Sequence, residues 1–231
     1  MTRIGRLDAV GAIVGIAVFC LGSSASVSAQ DKRTADAGHG AEIAAQGTAG
    51  VPACAQCHAF SGASDSSGAF PRIGGQSAYY LEKQIRDFAS SERANAIMSP
   101  IAKALSADDI ADVAEYYANN TGQFPPLATA DAATYEKGQQ LARVGDAAKG
   151  IQACNNCHGP DGAGIPPAVP YLAGQYAQYI VFEMQMWKRG FRKSSPGSMA
   201  LIAKQLDDQQ IAAVAAYYQQ VRGSSASVIS K

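Results

Sequence analysis

Two Cys-x-x-Cys-His motifs contain the residues of this chain whose types and spacing are best suited to attaching and ligating a cofactor. Their six residues are Cys54, Cys57, His58, Cys154, Cys157 and His158. Two thiols that are two residues apart can add to the two vinyl groups of a haem, and the adjacent imidazole can then bind the iron. The motifs therefore predict two covalently bound haem c groups.

Other uses of paired cysteines have to be weighed against haem. A zinc site would need two cysteine pairs close together, and these two pairs lie far apart in the sequence. A thioredoxin-like motif would need a strand–helix–strand setting, which the sequence does not indicate. Disulfides fit an exported protein but leave the histidine after each pair unexplained.

Methionines are the best candidates for the second axial ligand of each haem, since His and Met together ligate the iron in many cytochromes c. Met98 and Met199 follow the two motifs at nearly equal distances, and each lies three residues before an Ile-Ala-Lys segment. We expect both to bind iron. Met184 and Met186 have no counterparts in the first repeat and are expected to pack, while His39 is expected to be an exposed histidine of an N-terminal tail.

Pro71 and Pro170 follow the motif histidines by 13 and 12 residues. A proximal histidine usually donates its other ring N–H to a backbone carbonyl, which fixes the orientation of the ring. We expect these prolines to supply that carbonyl. The alternative is that they only interrupt the chain at a turn.

The whole chain repeats with a period of about 100 residues. Gly75-Gln76 recurs as Gly174-Gln175, and a pair of tyrosines near residue 116 recurs near residue 217. A long period that occurs twice indicates duplication of a domain rather than a solenoid. Because apolar residues recur at helical spacing and no segment alternates as a strand would, we expect an all-α fold of two tandem domains.

Two helices per repeat have clear sequence signals. Their apolar residues fall within 81–88, 110–117, 180–187 and 211–218. Ser106 with Asp109 resembles a capping box before the second of these helices, and Asp207 with Gln210 resembles one before the last. The Gly-rich loops between the helices suggest that each domain needs a buried cofactor to complete its core.

The beginning of the chain resembles an export signal, with two arginines, a short apolar run and a small-residue cleavage site at Ala29. An uncleaved membrane anchor is the alternative, and Cys20 is expected to leave with the signal. The expected organisation is a signal peptide (1–29), a first domain (30–121), a linker (122–133) and a second domain (134–231). The mature protein is therefore expected in the periplasm.

Charge is distributed unevenly along the chain. Residues 30–133 contain 7 Lys or Arg and 12 Asp or Glu, whereas residues 134–231 contain 10 and 6. Near neutrality overall argues against nucleic acid as a partner. The basic segment 188–193, with Arg192 and Lys193, is expected to guide docking of redox partners, although its cations could instead neutralise haem propionates or simply face solvent.

The motifs, the Pro-x-x-x-Gly-Gln turns and the late methionines resemble di-haem cytochromes of the cytochrome c4 family over residues 42–222. The resemblance implies two class I cytochrome c domains related by a pseudo-twofold, with their haem propionate edges facing each other. The implied attachment and ligand residues are Cys54, Cys57, His58 and Met98 for one haem, and Cys154, Cys157, His158 and Met199 for the other. The first repeat departs from the second at Ala59 and Phe60, which replace Gly159 and Pro160.

We therefore expect an electron-transfer protein that is not an enzyme. By the resemblance, it would carry electrons from a bc1-type complex or a dehydrogenase to a terminal oxidase, and it could associate with membranes through these partners. One alternative is the electron-accepting subunit of a sulfide- or alcohol-oxidising dehydrogenase. Another is an enzyme such as a thiosulfate dehydrogenase or a peroxidase, which would need an unusual ligand or a vacant position at one haem.

Overall fold

The computed structural model describes residues 33–65, 67–120, 128–195 and 197–221. The predicted signal peptide with Cys20 and the first part of the predicted linker lie outside these residues. No helix in the described ranges combines the length and the apolar character needed to cross a bilayer. The described residues form helices and isolated β-bridges but no strand, which confirms the all-α prediction.

Within the described residues, each repeat has five α-helices in the same order. The first has α1 (Ala37–Gln46), α2 (Ala55–His58), α3 (Ala78–Ala89), α4 (Met98–Ala104) and α5 (Ala107–Ala118). The second has α6 (Ala132–Arg143), α7 (Asn155–His158), α8 (Ala177–Lys188), α9 (Ser198–Gln205) and α10 (Asp208–Gln220). Helix α6 begins two residues before the predicted start of the second domain.

The first and last helices of each repeat pack against each other through a glycine. A Cβ atom on Gly40 of α1 would lie 2.1 Å from the carbonyl oxygen of Asp112 on α5. A Cβ atom on Gly138 of α6 would lie 2.0 Å from the carbonyl oxygen of Ala213 on α10. Only glycine permits this close approach, so the same helix-packing contact occurs in both repeats.

The helices predicted from apolar spacing are confirmed. On α5, Ile110, Val113 and Tyr117 are buried, as are the equivalent residues of α10. Each large apolar side chain buried in this way stabilises the fold by about 1.5–3 kcal/mol. Ser106 forms the predicted capping box with Asp109, and Asp207 forms one before α10 with Gln210.

His39 lies on α1 rather than in an N-terminal tail, so that part of the prediction was wrong. It is exposed, as expected, but its ring Nδ1 lies 2.8 Å from Oδ2 of Asp112 on α5. Asp112 is 1% exposed, and its Oδ1 accepts a hydrogen bond of 2.7 Å from the backbone N–H of Asp36. The carboxylate of Asp112 thereby joins α5 to the start of α1.

The recurring Gly-Gln pairs join the two repeats. The Gln175 side chain exchanges two hydrogen bonds of 2.9 Å with the backbone of Arg72. The Gln76 side chain makes the reciprocal pair with the backbone of Tyr171, at 3.0 and 3.2 Å. These reciprocal bonds are what a pseudo-twofold relation between the domains requires.

Candidate haem sites

A single cavity of about 590 Å³ contains both cysteine motifs. Its lining includes all eight predicted haem residues, namely Cys54, Cys57, His58, Met98, Cys154, Cys157, His158 and Met199. Most of the remaining lining is apolar side chains from both repeats. The structure therefore brings each predicted pair of iron ligands to the wall of one cavity that crosses the boundary between the domains.

Both motif histidines are held by the prolines that the sequence indicated. Nδ1 of His58 lies 3.3 Å from the carbonyl oxygen of Pro71, and Nδ1 of His158 lies 3.0 Å from that of Pro170. Because a carbonyl oxygen only accepts, each Nδ1 carries the proton and donates it. The Nε2 atom then keeps its lone pair, which is the arrangement that binds a metal.

Burial reinforces this state of the imidazoles. His58 and His158 are 9% and 8% exposed. Burial lowers the pKa of each histidine, and the hydrogen bond to the proline carbonyl only partly opposes that effect. Both rings are therefore neutral near pH 7, as a ligand to iron must be.

Each motif occupies a single helical turn, α2 or α7, so that its two cysteines lie on the same side of the chain. None of the four cysteines in the described residues forms a disulfide. Burial raises the pKa of the Cys54 and Cys154 thiols. No group of three or more His, Cys, Asp or Glu side chains in the described ranges could hold a zinc ion.

The chain turns sharply after each motif histidine, and here the repeats differ. Gly159 has φ 74°, a conformation that suits glycine. Its counterpart Ala59 has φ 56°, where a side chain is strained. The substitution noticed in the sequence therefore places backbone strain next to His58.

The candidate methionines lie at the beginnings of equivalent helices. Met98 is the first residue of α4, where Asn95 Oδ1 accepts hydrogen bonds from the backbone N–H groups of Ile97 and Met98. Met199 is the second residue of α9. Both side chains are half-buried. Met184 is 5% exposed within the core of the second repeat, so its predicted packing role is confirmed.

The charged residues of the cavity fit a cofactor that carries carboxylates. Those among its described lining residues are Arg72, Arg93, Glu183 and Arg192, a net charge of +2. The Nε atoms of Arg93 and Arg192 and the indole nitrogen of Trp187 are buried without a hydrogen-bond partner among the described atoms. Each such donor costs about 1–3 kcal/mol when left unpaired. Haem propionates are acceptors of the right charge.

Arg192 is only 4% exposed, so the prediction that it guides docking was wrong. Its guanidinium stacks on Trp187, 3.9 Å from the ring centre, and donates to Glu183. Lys193 is exposed and stays available to a partner. The sequence shows only a run of cations, and it does not indicate that Arg192 is buried while its neighbours are exposed.

Comparison with known proteins agrees with this geometry. A sequence model of the cytochrome c family matches residues 135–222. Cytochrome c4 from Pseudomonas aeruginosa is 35% identical over 184 residues, which cover 78% of this chain and 90% of that protein. A thiosulfate dehydrogenase electron acceptor from Stutzerimonas stutzeri is 38% identical over 191 residues, which cover 81% and 88%.

A solved structure of similar fold is a thiosulfate dehydrogenase from Marichromatium purpuratum. The TM-score is 0.75 at 35% sequence identity, and the match covers 81% of this chain but 41% of that one. The identity to cytochrome c4 extends over most of the chain and includes both repeats. This chain therefore belongs to the cytochrome c4 family and is a di-haem electron carrier.

Proposed function

We propose that each motif attaches one haem and that the cavity supplies both protein ligands to its iron from the same repeat. The four residues of the first site are Cys54, Cys57, His58 and Met98, and those of the second are Cys154, Cys157, His158 and Met199. The observation that carries this assignment is the pair of His–Pro hydrogen bonds, which leaves each Nε2 free to bind iron. Met98 and Met199 lie on the same cavity at equivalent helix starts.

Bound haem supplies one-electron redox chemistry, and the residues of this chain hold it and exclude water. Two protein ligands per iron leave no position for a substrate, so the protein transfers electrons and catalyses no bond chemistry of its own. Carbon monoxide tests this point, since it binds ferrous haem at a vacant position. We expect no spectral change on adding carbon monoxide to the reduced protein. A change corresponding to one haem would favour the enzyme alternative.

We further propose that the protein works in the periplasm and carries electrons from a bc1-type complex or a dehydrogenase to a terminal oxidase. The support is its relation to cytochrome c4 and the two redox sites joined by one cavity. With two sites, an electron can enter at one domain and leave at the other. The basic second domain and the acidic first domain give such a carrier an orientation in the field of a charged partner.

The direct experiment is oxidation of the pre-reduced protein by membranes from its own source. Rapid oxidation that an oxidase inhibitor abolishes would support the respiratory carrier. Slow oxidation that does not respond to the inhibitor would contradict it. Variants Arg189→Glu and Lys193→Glu test docking at exposed positions and should slow the reaction most at low salt. Lys137→Glu makes the same charge change at an exposed position of α6 outside the basic segment 188–193, and as the control it should slow the reaction less.

A second candidate is the electron acceptor of a thiosulfate dehydrogenase. It is favoured by two relatives that carry that description, at 40% and 38% identity. Mixing the oxidised protein with a thiosulfate dehydrogenase and thiosulfate would show stoichiometric reduction of both haems if this is correct. Reduction by quinol and a bc1-type complex, with none by thiosulfate, would exclude it.

A further inference from the structure

Four polar side chains form a buried cluster between the two repeats, and we name it the interface cluster. It consists of Gln84 and Arg93 from the first repeat and Glu183 and Arg192 from the second. Their exposed fractions are 7%, 4%, 6% and 4%. All four line the cavity that contains both cysteine motifs. The interface cluster is therefore shielded from water and open to both haem sites.

The two arginines are bridged on both sides. Glu183 accepts hydrogen bonds of 2.6 Å from Arg93 Nη2 and 2.6 Å from Arg192 Nη1. On the other side, Gln84 Oε1 accepts bonds of 2.9 Å from Arg93 Nη1 and 2.7 Å from Arg192 Nη2. Gln84 and Glu183 thus occupy equivalent places in the two repeats and make equivalent contacts.

The two repeats make equivalent contacts here but differ in charge. Gln84 is neutral, whereas Glu183 is a carboxylate, so two arginines face one negative charge. Burial alone would raise the pKa of Glu183, but the guanidinium groups of Arg93 and Arg192 lower it below its ordinary value. The carboxylate is therefore ionised at neutral pH, and the interface cluster carries a net charge of +1.

A fixed charge beside a redox centre changes its affinity for an electron. Positive charge favours the reduced state, which has one more electron, and negative charge opposes it. A unit charge ~12 Å from such a centre, at an effective dielectric constant of ~20, changes the equilibrium about tenfold. Burial prevents solvent ions from screening this effect as they would on the surface.

We propose that Glu183 is a potential-setting residue, and that the Gln84/Glu183 difference fixes the reduction potentials of the two haems relative to each other. The carboxylate holds the interface cluster at +1 rather than +2, and it does so on one side of the pseudo-twofold only. The proposal rests on attachment of two haems in this cavity, and not on which proteins exchange electrons with them.

Potentiometric titration of the purified holoprotein tests the proposal. Glu183→Gln removes the negative charge at nearly constant shape and should raise both potentials, shifting the one-electron equilibrium about tenfold, or 59 mV, for the nearer haem. Gln84→Glu should lower both. The double variant, which exchanges the two residues, should restore the average of the two potentials but change the gap between them.

Gln178→Glu is the matched control, because it makes the same substitution at an exposed position of α8. It should leave both potentials within the error of the titration. If Glu183→Gln fails to fold, Gln84→Glu decides, since it adds a negative charge beside the two arginines rather than removing one. Potentials that stay unchanged in Gln84→Glu, or that move in the same direction in both single variants, would overturn the proposal.

The same titration separates this proposal from the assignment of the haems. A protein that lacks two haems, or one whose spectra show altered ligands, would refute the assigned sites. If both haems are intact and their reduction potentials do not change with the charge of the interface cluster, only the role of Glu183 is refuted.

Discussion

At the helix crossing of the first repeat, Asp112 is buried and bonds to His39 and to the backbone of Asp36. At the same crossing of the second repeat, the equivalent residue is Ala213, whose side chain cannot accept a hydrogen bond. In the second repeat, the partly exposed carboxylate of Asp161 accepts from Arg143 and from the hydroxyl of Tyr217, which is buried.

Other features are the same in both repeats. The glycine at the crossing, the His–Pro hydrogen bond and the glutamine at the interface all occur twice. They pack the helices within each repeat, orient the motif histidines and join the two repeats. The difference teaches that the backbone packing and the His–Pro contacts are kept in both copies of the fold, whereas carboxylate contacts such as those of Asp112 and of Glu183 occur in one copy only.

The largest expected effect comes from breaking a shared feature. Gly40→Ala and Gly138→Ala would each place a methyl group against a carbonyl oxygen of the partner helix, forcing the backbones apart. We expect each to destabilise its domain by about 3 kcal/mol or more. Denaturant unfolding of the holoprotein measures this. Gly50→Ala, where the added methyl meets nothing within 4 Å, is the control and should cost only about 1–2 kcal/mol for its positive φ.

The next largest effect should be a loss of stability in the first repeat that the second repeat does not share. Asp112→Ala leaves the backbone N–H of Asp36 without its acceptor and should destabilise the first domain by about 2 kcal/mol. Hydrogen exchange should accelerate in α1 and α5 but not in α6 and α10. Equal acceleration in both pairs of helices would show that the carboxylate does not act locally.

A smaller effect tests the strain beside His58. Ala59→Gly should stabilise the first domain by about 1 kcal/mol, because φ is positive there. The reverse change, Gly159→Ala, should destabilise the second domain, since the new Cβ would lie 2.8 Å from the carbonyl oxygen of Gly164. A higher midpoint of thermal unfolding for Ala59→Gly and a lower one for Gly159→Ala would support the comparison. A lower midpoint for Ala59→Gly would contradict it.

The smallest effect is a dependence of stability on pH in the first domain. The hydrogen bond to Asp112 raises the pKa of His39 above 6.5, and desolvation opposes it by a smaller amount. A raised pKa in the folded state means that the contribution is fully present below pH 6.5 and is lost as the pH rises through the folded value. We expect His39→Gln to flatten this slope, which urea titrations between about pH 6 and 8 would measure. If the slope persists in the variant, another titrating group causes the dependence of stability on pH.

Much of the fold and site was predictable because the signals are local in sequence. The Cys-x-x-Cys-His spacing, the apolar spacing of α5 and α10, and the positions of Pro71 and Pro170 each depend on a few neighbouring residues. The structure confirms those helices and both proline carbonyls. The assignment of the haem ligands stays a prediction.

What the sequence did not predict depends on contacts between distant segments. Helix α1 contains Gly40 and helix α6 contains Gly138, and a glycine in isolation argues against a helix. Each glycine is favoured only because another helix packs on it. Arg192 stands in a run of cations, and nothing nearby in sequence signals that Glu183 and Trp187 bury it.

The measurement that tests the central claim most directly is the near-infrared charge-transfer band that marks Met ligation of ferric haem. The oxidised protein should show this band for both haems. Met98→Ala and Met199→Ala should each remove about half of it, while Met186→Leu, in a residue outside the cavity lining, should leave it unchanged. A wild-type band that corresponds to one haem, or one that either alanine variant leaves intact, would contradict the account.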